Sequence, residues 1–520
     1  MKIYIYACLL AALTLLTYSC KKDIGNYDYH EINEVKFSSD LNGTISVLTL
    51  TQLTIHPTIE FTQDARITDP NRYSYEWVYV LDANNLKTLA KTKDLDVFIS
   101  EKAGTYDAYY RITDNVTGVV FRKKFLLEIR NVYNEGWLLM TEVNDKARVD
   151  MLARQRGGDF IVVTDLLKKA NTGLELKGKP KVVYSYNCGA LNGVGINLPY
   201  AIYFGTDQSI DRVNPETFAW QPNYNVKYEI LTEVPANFSI NVVKRVNGIA
   251  ANGCYMISST GDVYYTSQAP ANKYSQTLNF DATEGPYKVA PFIGGNENSV
   301  VPVISQYNYF YDIDHKRFKR HLSVNDSKLL AVPEPNGSVS QPLLFSYANT
   351  GKDLIYMTYA KTNQVNAILK DPVNGKLYLA RFEAHTAKQL YFQEIVGKDI
   401  DKAENFAVSS QTGYLFYSVG GKIYLYDTSP VTPLCTEVYD YGAAKVSVLK
   451  FQIYHLVGAN YPITETDKLV VCSYDPALPE GANGKLEKFS IQNGGAGLTK
   501  EPNYTFTGFG KVQSLHYRER

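Results

Sequence analysis

The sequence predicts an all-β protein: an N-terminal immunoglobulin-like β-sandwich followed by a β-propeller of about seven blades. Three observations predict it. Apolar residues alternate with period two over about one hundred residues near the amino end, the mark of half-buried strands. From Gly136 onward, hairpins closed by glycine turns recur at roughly 45 to 60 residues, the length of a four-stranded blade. Tyrosine outnumbers phenylalanine 42 to 22, a composition that suits strands and also supplies rigid, amphipathic contact area.

The chain opens on Lys2 and a mostly apolar run from Ile3 to Leu16. That suits a signal-peptide core and falls short of the roughly 20 residues a spanning helix needs. Thr17 and Ser19 immediately precede Cys20, matching a relaxed bacterial lipobox in which residues 1–19 are removed and the Cys20 thiol is acylated. An ordinary secretory signal that happens to contain a cysteine is the alternative. At about 0.8 kcal/mol per buried methylene, several acyl chains attach a protein permanently, so contact with the membrane is expected through the lipid anchor only. Residues 20–31 are polar and read as a tether.

Residues 32–132 carry the alternation. Leu53, Ile55, Pro57, Ile59 and Phe61 share one face; Tyr73, Tyr75, Trp77 and Tyr79 lie on another strand, and Phe125, Leu127 and Ile129 on a third. Trp77 is the expected centre of the sandwich. The segments Gly25-Asn26-Tyr27-Asp28-Tyr29-His30-Glu31-Ile32 and Gly104-Thr105-Tyr106-Asp107-Ala108-Tyr109-Tyr110, with Asp114 and Thr117-Gly118 after them, resemble the PKD-like lipoproteins that accompany Sus-type outer-membrane nutrient importers. The resemblance covers about the first quarter of the chain. It implies a PKD-like sandwich, no catalytic residue, and two partners: a TonB-dependent channel and its lid lipoprotein.

Residues 133–520 carry the hairpins. Tyr255 to Tyr265 turns at Gly261, Ala367 to Leu379 at Gly375, and Phe406 to Tyr426 at Gly413 and Gly420-Gly421, while Leu469-Val470-Val471 leads to Asn483-Gly484. Such turns supply the positive φ that two-residue hairpins require. The widest gap places a further unit at Tyr311 to Phe318, with Asp312 to Arg317 in place of the glycine turn, and earlier units fall at Gly136 to Val163 and Val182 to Val213. Thr164 to Ala170 alone reads as helix. The strand near Phe509 to Tyr517 is expected to complete the first blade, since closure removes exposed sheet edges.

Lysine plus arginine and aspartate plus glutamate number 53 each, so no net field draws nucleic acid. Cys188, Cys254, Cys435 and Cys472 have neither disulfide-framework nor zinc spacing. Cys254 and Cys472 read as buried thiols, with Cys188–Cys254 or Cys435–Cys472 bridges as the alternative. The seven histidines form no His-Glu-x-x-His, and no Gly-x-Ser-x-Gly elbow or phosphate loop is present. No metal, cofactor or catalytic residue is therefore assigned. The stretch Phe218 to Tyr228 reads as an exposed loop offering Trp220, Tyr224 and Tyr228 to a ligand, with Trp220 packed between blades as the competing reading. The expected role is non-enzymatic: capture of nutrient oligomers, peptides ahead of glycans, at the cell surface of the outer membrane. An anchored propeller hydrolase or lyase is the alternative.

Overall fold

A computed structural model describes residues 32–519 except 50, 65–67, 83–84, 102, 131, 156–157, 189–199, 247–252, 267–272, 298–306, 324, 361–362, 456–460, 493 and 495–496. The leader, Cys20 and most of the tether lie outside the described residues. The chain divides into two units, both built of antiparallel strands.

In the first unit a five-stranded sheet has the spatial order Thr44–Leu48, Val120–Arg130, Gly104–Asp114, Tyr73–Asp82, Asn85–Ala90. A separate pair joins Val35–Phe37 to Ile59–Phe61. Trp77 is fully buried opposite Tyr110, their rings stacked 4.1 Å apart, and its indole N–H donates to the Thr92 carbonyl at 3.0 Å. Phe125, Leu127 and Ile129 are buried, as the alternation requires.

The second unit contains, among the described residues, seven successive sheets of three or four strands. The first holds Gly136–Val143, Lys146–Arg154 and Phe160–Val163, and takes Lys511–Arg518 as its fourth strand. The others begin with Pro180–Asn187, Ile240–Val246, a stretch bridging Val289 and Gly294 to Asn308–Asp312, Asp353–Ala360, Asn405–Val408 and Lys445–Phe451. Each junction of consecutive sheets holds its own apolar cluster. Leu138, Met151 and Phe204 meet between the first and second, and Trp137, Cys472 and Leu515 between the seventh and first.

The leading strands touch in a closed circuit. Tyr184 lies 4.2 Å from His516 between ring centroids, and its hydroxyl accepts from the Arg245 N–H at 2.9 Å. Lys244 donates to the Ile293 carbonyl at 3.0 Å; the rings of Phe292 and Tyr356, then of Tyr356 and Phe406, are 5.7 and 5.9 Å apart. Asn405 donates to the Val446 carbonyl at 3.3 Å, and Lys450 returns to the Leu515 carbonyl at 3.2 Å. Lys511–Arg518 pairs with Gly136–Val143 from Gly136↔Arg518 onward, so the carboxyl-terminal strand completes the sheet begun nearly four hundred residues earlier.

Gly420-Gly421 is a two-residue turn joining Val419 to Lys422, with Gly420 at φ +57°, but several other hairpin turns differ from that type. In Asp371 to Gly375 the aspartate side chain accepts from the Val373 and Asn374 amides, the Gly375 amide donates to the Asp371 carbonyl, and Gly375 has φ +75°. The same five-residue loop recurs at Asn214 to Phe218 and at Ser409 to Gly413. Asp312 caps its own turn in the same way through the Asp314 and His315 amides, with Lys316 at φ +52°. Gly484 is not a turn residue: it starts a strand, and a Cβ there would lie 1.9 Å from the Gly510 carbonyl oxygen. A one-turn helix, Leu166–Lys169, falls within the stretch read as helical.

All four described cysteines are free. Burial pushes the Cys188 thiol up to about 11 and Cys254 up to about 12, which keeps both protonated and inert.

Candidate functional site

Where the leading strands converge they enclose a cavity of about 290 Å³. Its walls are largely apolar and aromatic, including Phe292, Tyr356, Phe406, Val448 and Phe451. Period-two alternation explains this, because a leading strand turns every second side chain inward. Three charged groups interrupt the wall: Lys244, Glu297 and Lys450.

Lys244 Nζ lies 3.1 Å from Glu297 Oε1 and also donates to the Ile293 carbonyl. Glu297 Oε2 accepts from the Tyr184 hydroxyl at 3.1 Å and lies 3.7 Å from His455 Nε2. Burial opposes ionisation of Glu297, yet Lys244, His455 and Lys450 outweigh it and hold the carboxyl well below the usual range. Burial, seconded by the Glu297 charge, holds the Tyr184 phenol well above its ordinary value. Lys450 is pulled down by burial and by Lys244, with Glu297 opposing.

Behind the cavity lies His516, 1% exposed, whose Nδ1 accepts from the Ser185 amide at 3.3 Å. That contact assigns the proton to Nε2, which has no hydrogen-bond partner among the described residues. Burial, then the charges of Lys450 and His455, drive His516 well below its usual value, so it is neutral at pH 7.

Glu297, His455 and His516 each offer a ligand atom within 4.8 Å of the others, a set whose donor types suit zinc. Two features oppose a dication. The lysines Lys244 and Lys450 stand beside the same carboxylate, and the Ser185 amide holds His516 in the tautomer whose Nε2 lone pair is taken by a proton. The arrangement places charge of both signs on an otherwise apolar wall.

The residues singled out in sequence lie elsewhere in the second unit. Trp220 is half-buried against the cluster between the first and second sheets, and its indole N–H donates to Asp211 at 3.2 Å. Tyr224 is 9% exposed and closes a turn of 3₁₀ helix, while Tyr228 is 44% exposed with Lys227 Nζ 5.0 Å above its ring. The stretch is thus not an exposed loop throughout, since Phe218, Tyr224 and Val226 are buried. Asparagine and proline marked it as irregular, but irregular backbone also packs when Asn225 and Asp211 satisfy it, with Asn225 Nδ2 3.1 Å from Asp211 Oδ1. Sequence reasoning missed Lys244, Glu297 and Lys450. The only signal was a lysine on the inward register of two leading strands.

A sequence model described as the PKD-like family matches residues 20–180. Among curated proteins, none matches the chain. Similar solved structures include a quinonprotein alcohol dehydrogenase-like protein from Bacteroides thetaiotaomicron, with 10% identity, TM-score 0.46, and 93% of this chain and 99% of that one covered. A DUF4784 family protein from Bacteroides caccae follows, with 9% identity, TM-score 0.28 and coverage of 94% and 98%. The Dos1 propeller is similar at 8% identity, TM-score 0.35, with 71% and 87% covered. At such identity no activity passes from these proteins to this chain.

Proposed function

We propose that the chain is a lipid-anchored binding protein of the bacterial outer membrane, exposed at the cell surface. Residues 1–19 are the signal, Cys20 the acylated anchor, 20–31 the tether, 32–132 a PKD-like β-sandwich and 133–520 a seven-bladed β-propeller. Its work is to capture nutrient oligomers, peptides ahead of glycans, for a Sus-type TonB-dependent channel and its lid lipoprotein. The observation that supports binding is the cavity at the convergence of the leading strands, where an apolar and aromatic wall carries three charged groups that fix orientation, the make-up of a ligand site. The partners rest on the resemblance at residues 25–35 and 104–118. Tyr228 remains a candidate peripheral contact; Trp220 and Tyr224 serve packing first.

Two measurements test this. Detergent-solubilised outer membrane is passed over the tagged full chain, and co-purification of a TonB-dependent channel is expected. Peptide and glycan libraries are then incubated with the protein: retention without product supports a binder, whereas turnover establishes the hydrolase or lyase instead.

A further inference from the structure

The cavity has a surplus of hydrogen-bond donors. Lys244 uses two of its three ammonium hydrogens, on Ile293 and Glu297, and Lys450 uses one, on Leu515. The Glu297 oxygens are already engaged, by Lys244 on one side and Tyr184 on the other. Two cations facing one carboxylate leave a positive charge that no described side chain answers within ion-pair distance of Lys450. Charge of this kind in a largely apolar pocket is costly unless a ligand supplies the counter-charge.

Two other cavities of the second unit lack this imbalance. The cleft of about 340 Å³ beside Tyr454, Tyr504 and Tyr517 holds Arg154 and Lys488, but Glu135 and Glu465 pair with them at 2.7 Å each. The groove of about 630 Å³ along Leu166–Lys169 is wide and open, and its Arg148 is paired with Asp150.

We infer that the convergence cavity receives the carboxylate end of a peptide, with Lys450 as the counter-charge and the Phe292, Tyr356, Phe406 and Phe451 wall taking an apolar terminal side chain. Size limits what enters: about 290 Å³ admits a terminal residue or two and not an extended oligomer. A uronic acid also offers a carboxylate, but it has no apolar side chain to set against four aromatic rings. This inference rests on the cavity being the ligand site proposed above, and it adds what the ligand must present there.

Calorimetric titration of the full chain in detergent tests it, using an N-acetylated tripeptide ending in phenylalanine, as free acid and as amide, and trigalacturonate. The free acid is expected to bind at least about tenfold more tightly than the amide, a gap of about 1.4 kcal/mol. That gap is expected to collapse in Lys450→Met. Equal affinities for acid and amide, both weakened by Phe406→Ala, would overturn the carboxylate assignment and leave the cavity as a binding site. Tighter binding of trigalacturonate through Lys450 would keep the anion site and remove the peptide terminus. Tripeptide binding that ignores both variants would remove the cavity itself, as would absence of any binding. The acid-to-amide comparison on the unsubstituted protein stands even if a variant fails to fold.

Discussion

At the scale of single residues, the second unit stakes its stability on buried charge. Arg212 and Glu229 are 0% and 1% exposed and lie 3.5 Å apart, and the Tyr203 hydroxyl donates to the second Glu229 oxygen at 2.8 Å. Removing one member of such a pair strands the other, so Glu229→Gln is expected to cost about 3–5 kcal/mol in chemical denaturation. A double replacement of Arg212 and Glu229 by apolar residues should cost less than the single change. His516 and His321 set a pH limit of a different kind. Burial is the leading cause that lowers both below the ordinary 6.5, so the native state stays unprotonated where the unfolded chain takes up protons. Their contribution is therefore complete well above pH 6.5 and is lost as pH falls, at up to about 1.4 kcal/mol per pH unit for each histidine until its native form is protonated too. Unfolding free energies measured from about pH 7 down to pH 5 should show that slope, and His516→Asn should reduce it by one histidine's share. Neither Glu229 nor His516 was legible in the sequence, since the partners that bury them come from distant strands.

Among elements, a capped five-residue turn recurs in several sheets. Its first residue is Asp, Asn or Ser, whose side chain holds two following amides, and its fifth takes a positive φ. Glycine fills that fifth place at Gly118, Gly375 and Gly413, but Phe218 and Lys316 fill it as well. This is why a period counted on glycines skipped units: the cap at the first position offsets the roughly 1–2 kcal/mol that a side chain pays in the left-handed region. Strand content and the units at Gly136 to Val163 and Val182 to Val213 were readable because alternation is a local property. The turns at Gly375 and Gly413 were misread as two-residue loops because glycine was taken as the signal where the capping side chain is, whereas Gly420-Gly421 is such a loop. Gly375 has open space around its Cβ position, so Gly375→Ala isolates the backbone cost. Thermal unfolding should register a loss of about 1 kcal/mol, whereas Asp371→Ala, which frees two amides and the Lys352 ammonium 2.8 Å away, should lose at least as much.

Taken as a whole molecule, the chain depends on its last strand. Lys511–Arg518 covers the edge of Gly136–Val143, and the cluster of Trp137, Val512, Leu515 and Tyr517 fills the closing junction. Deleting residues 511–520 should leave an open sheet edge and an unfilled seam. Loss of the cooperative thermal transition and concentration-dependent association in size-exclusion chromatography are expected; an unchanged transition would mean that the remaining six junctions suffice. The closure also governs how the protein can be made. Tyr517 bonds to Glu135 across 382 positions, a contact available only after synthesis of nearly the entire chain. Until then the emerging strands form a ribbon with two adhesive edges, and the loop-closure entropy of the final pairing is still unpaid. Synthesis from the amino end thus leaves the first strand waiting for the last, so shielding of that strand in the meantime is as much a condition of this fold as the sequence itself.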